Sequence, residues 1–467
     1  MESPLNAALK KRSLVGLLRK IVSGACVLCF CAACLQWPSA ARAEGTESVQ
    51  GGEDSRMNDK AYQIAEAERP EGFVPPFSEE EADEEAWWDA MEAKDQAVIP
   101  NPERVRRFAW RTAAALAEKG EGENLLCSPM NLWFCAGMTA HLTAGESRRQ
   151  ILAFMDETSD QDLDEQILQI YRSLYRYDLD AACVPGASLW LNSGVQIKKE
   201  ALDRIVSSDH ADVFQGPMGE ENYDLALRTW LSRQTKGLLD RATGDLRFSP
   251  VSDLSVCTAL YYKARWVNPF REEATSPEVF HGAEDTETLF MHRDAAGYIY
   301  RGERFTAVRE DLFDDGHALF ILPNSDTAPE DLLKDEETLR FLEADRDWEN
   351  SAYAMIHMSM PRIDCVSSLT VSDMMKQMGV TDVFDAAKAD FSEALFSDHP
   401  VSFSGIQQFC RFTADEQGIE AAAVTAADVF GMMIIEEDVE FRLDRPFLYV
   451  LSTQRNLPLF VGVYRSP

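Results

Sequence analysis

Basic side chains are scarce in this chain. Its 45 Lys and Arg stand against 79 Asp and Glu, a formal net charge of -34, so nucleic acid and anionic membrane surfaces would be repelled. Histidine is also sparse, the seven residues at 141, 210, 281, 292, 317, 357 and 399 being dispersed. No H-E-x-x-H, G-x-S-x-G or G-x-x-x-x-G-K-[ST] occurs, and Gly120-Glu-Gly122 is too short for a phosphate loop. Members of a catalytic triad need not be neighbours in sequence, but nothing in this inventory points to an enzyme, a cofactor or a metal.

Cysteine is less abundant than it first looks. Of ten residues, Cys26, Cys29, Cys31 and Cys34 crowd into one N-terminal segment. The other six, at 127, 135, 183, 257, 365 and 410, are widely spaced without a C-x-x-C pair, which predicts buried free thiols rather than a disulfide framework or a zinc site. The N-terminal segment runs uncharged from Ile21 to Trp37, after Lys10, Lys11, Arg12, Arg19 and Lys20 and before Ala41-Arg42-Ala43. A basic stretch, a short apolar core and small residues at the cut predict a signal peptide over residues 1–43, cleaved before Glu44. The run is short for a membrane span of about 20 residues, so the expectation is secretion or display at the cell surface without membrane insertion.

Residues 44–98 follow as an acidic leader, with Glu79-Glu80-Glu81 and Asp83-Glu84-Glu85 bracketing little that is apolar. Such composition buries too little surface to fold alone, so the leader is expected to be disordered, with Trp87-Trp88 as its one docking candidate. Residues 99–467 read as one α+β domain. Asn101-Pro102-Glu103 announces a capped helix that places Val105, Phe108, Ala109, Thr112 and Leu116 on one face. A second helix from Ser128-Pro129 is apolar nearly all round and should be central. Leu254 to Trp266 reads as a buried strand, as do the alternating Ile356, Met358 and Met360, with His357 a satisfied histidine rather than a ligand. Thr370 to Met378 reads as a capped helix stopped by Gly379, and Phe447 to Leu451 and Leu457 to Val463 as two strands.

Between such strands lies EQGIEAAAVTAADVFGMMIIEED, from Glu416 to Asp438. At strand period one face carries Ile419, Ala421, Ala423, Thr425 and Ala427, without charge and with little bulk. Glu420, Ala422, Val424, Ala426 and Asp428 make the other face. The first face could enter an existing sheet against a packed core while the second stays in solvent.

With Glu416-x-Gly418-Ile419-Glu420-Ala421-Ala422-Ala423 and Thr425, the chain resembles the serpin family's inhibitory hinge. Phe441-Arg-Leu-Asp444-Arg445-Pro446-Phe447 and Leu459-Phe460-Val-Gly462 resemble its C-terminal signature. Further ordered blocks include Asn124-Leu-Leu-Cys-Ser128-Pro129, Trp230-Leu231-x-x-Gln234-Thr235-x-Gly237, Ala259-Leu-Tyr-Tyr-Lys-Ala-Arg-Trp266-x-x-Pro269-Phe270 and Met378-Gly379-Val-Thr-Asp382-Val-Phe384. Together they cover nearly all of residues 101–467.

The resemblance implies a serpin fold of about nine helices around three β-sheets, with an exposed reactive-centre loop near the C-terminus. It also implies a monomeric suicide inhibitor that a target serine protease attacks to give a covalent complex, with no cofactor. The alternative within the family is a non-inhibitory carrier, chaperone or surface binding protein. Alignment places the breach at Trp266. The shutter falls at Ser128, Asn131, Thr258 and Gln408, where the family usually has serine, serine, asparagine and histidine. The reactive bond is expected between Met432 and Met433, with Phe430 and Ile435 as alternatives. No Lys or Arg occurs between Arg411 and Arg442, so an elastase-, chymotrypsin- or subtilisin-like pocket is expected rather than a trypsin-like one.

Overall fold

The computed structural model describes residues 59–68, 94, 96–118, 122–157, 159–177, 181–313, 316–344, 347–419 and 435–467. The signal segment, Trp87-Trp88, residues 420–427 of the hinge, and Phe430, Met432 and Met433 lie outside them.

In chain order the elements begin with β1 (Gln63–Ala65), α1 (Pro102–Ala117), β2 (Leu125–Cys127) and α2 (Pro129–Leu142). Next come α3 (Gly145–Phe154), α4 (Asp160–Leu174), β3 (Arg176–Tyr177), β4 (Ala181–Asn192), β5 (Gln196–Ile197) and α5 (Lys199–Ser207). The middle of the chain gives β6 (Ala211–Gly216), α6 (Glu221–Gln234), α7 (Asp240–Thr243), β7 (Leu254–Arg265), β8 (Ser276–His281) and β9 (Asp285–Arg301). After β10 (Phe305–Asp311) and β11 (His317–Pro323) follow α8 (Glu336–Ala344), β12 (Ser351–Pro361), β13 (Ile363–Thr370), α9 (Ser372–Gln377) and β14 (Leu395–Phe396). The chain closes with β15 (Gln407–Ala414), β16 (Gly418–Ile419), β17 (Glu437–Arg442), β18 (Phe447–Ser452) and β19 (Pro458–Tyr464).

Among the described residues the strands form three sheets, and with the helices they make an α+β fold. The first runs β1-β6-β4-β7-β16-β15-β13 with β3 beside β4; the second runs β17-β12-β9-β10-β11-β18-β19-β2 with β8 beside β9; β5 and β14 form a separate pair. Every residue of α2 is buried, because this helix touches both β7 of the first sheet and β19 of the second. That accounts for its apolar character on all sides.

On the opposite face of the first sheet lies α6. Strand alternation sends Leu189 and Leu191 of β4 into the main core, while Trp190, with Phe214 of β6 and Ala259 of β7, packs under Tyr223, Leu227 and Trp230 of α6. The Trp190 and Phe214 rings stack at 4.0 Å between centroids. Among the described residues six cysteines are free, five of them buried and Cys257 half-buried.

Three expectations need correction. Asn101 precedes α1 in a left-handed conformation with φ 46° and makes no side-chain cap bond, so Pro102 and the positive helix end, not the amide, set this start. Thr370 ends β13 by pairing with Gln407, and α9 begins only at Ser372 without a side-chain cap. Tertiary pairing has claimed the residue that local chemistry assigned to the helix. The leader is not wholly unstructured either: Gln63–Ala65 pairs antiparallel with β6, opposite Phe214 and Val213. Its own apolar content could not hold it, but a sheet edge supplies the hydrogen bonds that a solitary segment lacks.

Candidate functional site: the hinge and the sheet opening

After Ala414 the chain turns back on itself through Asp415. The Asp415 side chain accepts from the N–H groups of Gln417 (2.9 Å) and Gly418 (3.2 Å), and its own N–H donates to the Gly418 carbonyl. The two residues of β16 then enter the sheet between β7 and β15: Gly418 faces Arg265, and Ile419 faces Ala264 on one side and Ala414 on the other. Glycine is required here, because a Cβ would sit 2.3 Å from the Ala264 carbonyl oxygen. The side chain of Ile419, 3% exposed, joins the main core, as its place on the uncharged face anticipated.

Beneath these two residues, β7 from 254 to 263 and β15 from 407 to 413 have no strand between them among the described residues. A small cavity lined by Tyr262, Phe412, Ile419 and Phe460 lies at the top of this opening. A sheet paired with Gly418 and Ile419, and with no other described strand below them between β7 and β15, has edges that can accept a further strand.

The entrance is held by Trp266 and Glu416. The Trp266 ring nitrogen donates to the Asp415 carbonyl at 2.8 Å, and its backbone N–H donates to Gln417 at 3.0 Å. Glu416 is buried, yet its carboxylate accepts two-pronged bonds from Arg362 (2.7 to 3.0 Å) and one from the Thr275 hydroxyl (2.5 Å). Burial pushes this carboxyl up, but the hydrogen bonds from Arg362 and Thr275 outweigh it and hold the group below the usual carboxylate range. Arg362 and Thr275 were not anticipated from the sequence, where neither stands in a recognisable motif.

Halfway down the opening, the four residues expected at the shutter lie close together. The Gln408 side chain accepts from the Ser128 N–H at 2.9 Å and donates to the Ser128 carbonyl at 2.8 Å. The Ser128 hydroxyl caps α2 by accepting from Asn131, and Thr258 donates to the Asn131 carbonyl at 3.1 Å. Gln408 on β15 and Thr258 on β7 are thus each tied to the start of α2, one from either side of the gap. The replaced residues form a different hydrogen-bonded set, as their polarity suggested.

Downstream of the loop, Ile435 is exposed (46%) and leads into β17, which pairs parallel with β12 from Glu437 opposite Ala354 to Arg442 opposite Ser359. Cross-strand charges fasten this edge. Arg301 meets Glu437 at 2.8 Å, and Arg442 meets Glu278 at 2.5 Å. His357 bridges Asp294 (2.7 Å) and Asp438 (2.6 Å), and its pKa is raised by those hydrogen bonds, from Asp294 first and then Asp438. His357 is indeed a satisfied histidine; its partners had no signal in the sequence.

Comparison with known proteins agrees with this geometry. The profile described as Serpin (serine protease inhibitor) matches residues 103–467. An alpha-1-antitrypsin-like protein of Tamias sibiricus is 24% identical over 377 residues, 78% of this chain and 88% of that protein. Alpha-1-antitrypsin of Meriones unguiculatus is 23% identical over 85% of this chain and 95% of its own. Among solved structures, the thermophilic serpin tengpin in its native state superposes with a TM-score of 0.71 at 20% identity, covering 79% of this chain and 95% of that one. Thyroxine-binding globulin in complex with thyroxine gives 0.67 at 17% identity, covering 78% and 98%. With the Serpin profile matched over residues 103–467, this chain belongs to the serpin family.

Proposed function

We propose that this protein is a secreted suicide inhibitor of serine endopeptidases. A target protease attacks the loop after Met432 and forms its acyl-enzyme, and the freed N-terminal part of the loop then inserts between β7 and β15. The tethered protease is carried along and its active site is deformed before water can release it. The observation that supports this most is the pairing of Gly418 and Ile419 inside a sheet that is otherwise open below them.

Continuing the observed register supports it further. Ile419 opposite Ala264 and Ala414 would bring Thr425 opposite both Thr258 and Gln408, a hydroxyl arriving where two polar side chains already close the shutter. Ala421, Ala423 and Ala427 would share the core face with it, and none offers bulk or charge to stall the strand. About ten new ladder hydrogen bonds at roughly 0.5 to 1.5 kcal/mol each amount to about 10 kcal/mol, comparable with the whole stability of a typical domain. The native state is therefore held by a kinetic barrier.

Because no basic residue lies between Arg411 and Arg442, the target has an apolar pocket of elastase, chymotrypsin or subtilisin type. Mixing the secreted protein with elastase or with chymotrypsin should yield a complex that survives boiling in detergent, with a released fragment beginning at Met433. Cleavage without such a complex would instead favour a non-inhibitory carrier or surface protein.

A further inference from the structure

Residues 59–68 bind the body of the protein at one place and in two directions. Towards the sheet, β1 lengthens the edge beside β6, Gln215 donates its N–H to the Tyr62 carbonyl at 2.9 Å, and Glu68 donates to the carbonyl of Val206 in α5. Towards the helix, Asp59 is fully buried in an ion pair with Arg233 of α6, and the Tyr62 ring meets Tyr223 edge-on at 5.0 Å. Asp212 joins both directions. One of its oxygens accepts from the leader, the Ala67 N–H at 3.0 Å and the Gln63 amide at 3.2 Å; the other accepts from the Trp230 indole of α6 at 2.8 Å.

The body is shaped for this segment. A Cβ on Gly216 would lie 2.9 Å from the Tyr62 ring and 2.6 Å from Tyr223, so only glycine lets the two tyrosines close over β6. His210, at the start of that strand, holds the Glu68 carbonyl at 2.6 Å.

Inserting a strand between β7 and β15 widens the first sheet by about 4.8 Å. β4, β6 and β7 then move together away from β15, whereas Leu238, just past the end of α6, is held through its carbonyl by Arg411 of β15 at 3.0 Å. So α6, which packs across β4, β6 and β7, either shifts on the strands beneath it or gives up that contact. A segment hydrogen-bonded to β6 and ion-paired to α6 resists that relative movement. We infer that residues 59–68 are a clamp that slows loop insertion by tying α6 to the edge of the sheet, with Asp59 and Tyr62 as its positioning residues. This rests on the reading of the sheet as the acceptor of its own loop.

The test uses the full secreted chain in three forms, Asp59→Ala, Tyr62→Ala and, as a control on the exposed side of the segment, Lys60→Ala. Each is incubated without protease, and conversion to the heat- and urea-resistant form with the loop inserted is followed on urea-gradient gels. Loss of one charge-assisted hydrogen bond that is made in the native state and broken on reaching the transition state corresponds to about tenfold faster conversion. Acceleration in Asp59→Ala and Tyr62→Ala but not in Lys60→Ala is the expected result, with unchanged far-ultraviolet circular dichroism showing that both variants start folded. Should one variant fail to fold, the other decides. Equal rates in all forms, including no conversion in any, would overturn the clamp. Complex formation with elastase or chymotrypsin is measured alongside: its absence from the wild type would overturn the inhibitory reading while the conversion rates still decide the clamp.

Discussion

Gln408 ties β15 to the start of α2 through two hydrogen bonds with the Ser128 backbone. Replacing it by alanine strands the buried N–H of Ser128, whose carbonyl still accepts from the Leu132 N–H, and an unsatisfied group of this kind costs about 1 to 3 kcal/mol. Gln408→Ala should therefore lower the urea midpoint of the native form, and an unchanged midpoint would show that another group takes over. Ile419 tests the hinge in the same way. Its side chain is buried opposite Ala264 and Ala414, and a guanidinium there would have no partner, so Ile419→Arg should be cleaved at the loop without forming the detergent-stable complex, as read from the ratio of the two products on a denaturing gel. These positions were legible because the family's hinge and shutter occupy short blocks of sequence. The latch on Glu416 was not: its partners Arg362 and Thr275 lie 54 and 141 positions away, and only the fold brings them to one carboxylate.

Strand β17 follows the loop, and among its charge contacts the one at His357 is titratable, with a raised pKa. His357 takes its raised pKa from hydrogen bonds to Asp294 and Asp438. The stabilisation it gives is present in full below the unfolded value of about 6.5 and is lost as pH rises through the higher folded value. Above that value two carboxylates face each other across β12 with no cation between them. Amide exchange over Glu437–Arg442, corrected for its intrinsic pH dependence, should rise through this window in the wild type and show no such step in His357→Gln. The elements themselves were read unevenly. Helix α2 and strand β7 declared themselves by period and by apolar residues on every side, whereas β1 did not. Three residues in an acidic leader have no pattern of their own, and what holds them is scattered over Asp212, Gly216, Tyr223 and Arg233.

On the scale of the whole molecule, the first sheet pairs Gly418 and Ile419 between β7 and β15 and, among the described residues, has no strand between those two strands below them. In the function we propose, such a sheet is less stable than the one it could become, and the native fold is a stored state whose release is gated at Trp266 and Glu416, at Gln408 and Thr258 and, by our further inference, at the leader. The most direct measurement is the melting temperature of the protein before and after cutting of the loop by a protease that does not become trapped. The cleaved molecule should melt well above the intact one, with the segment after Ile419 protected from exchange between β7 and β15. Equal melting temperatures, with that segment still exchanging freely, would contradict the account.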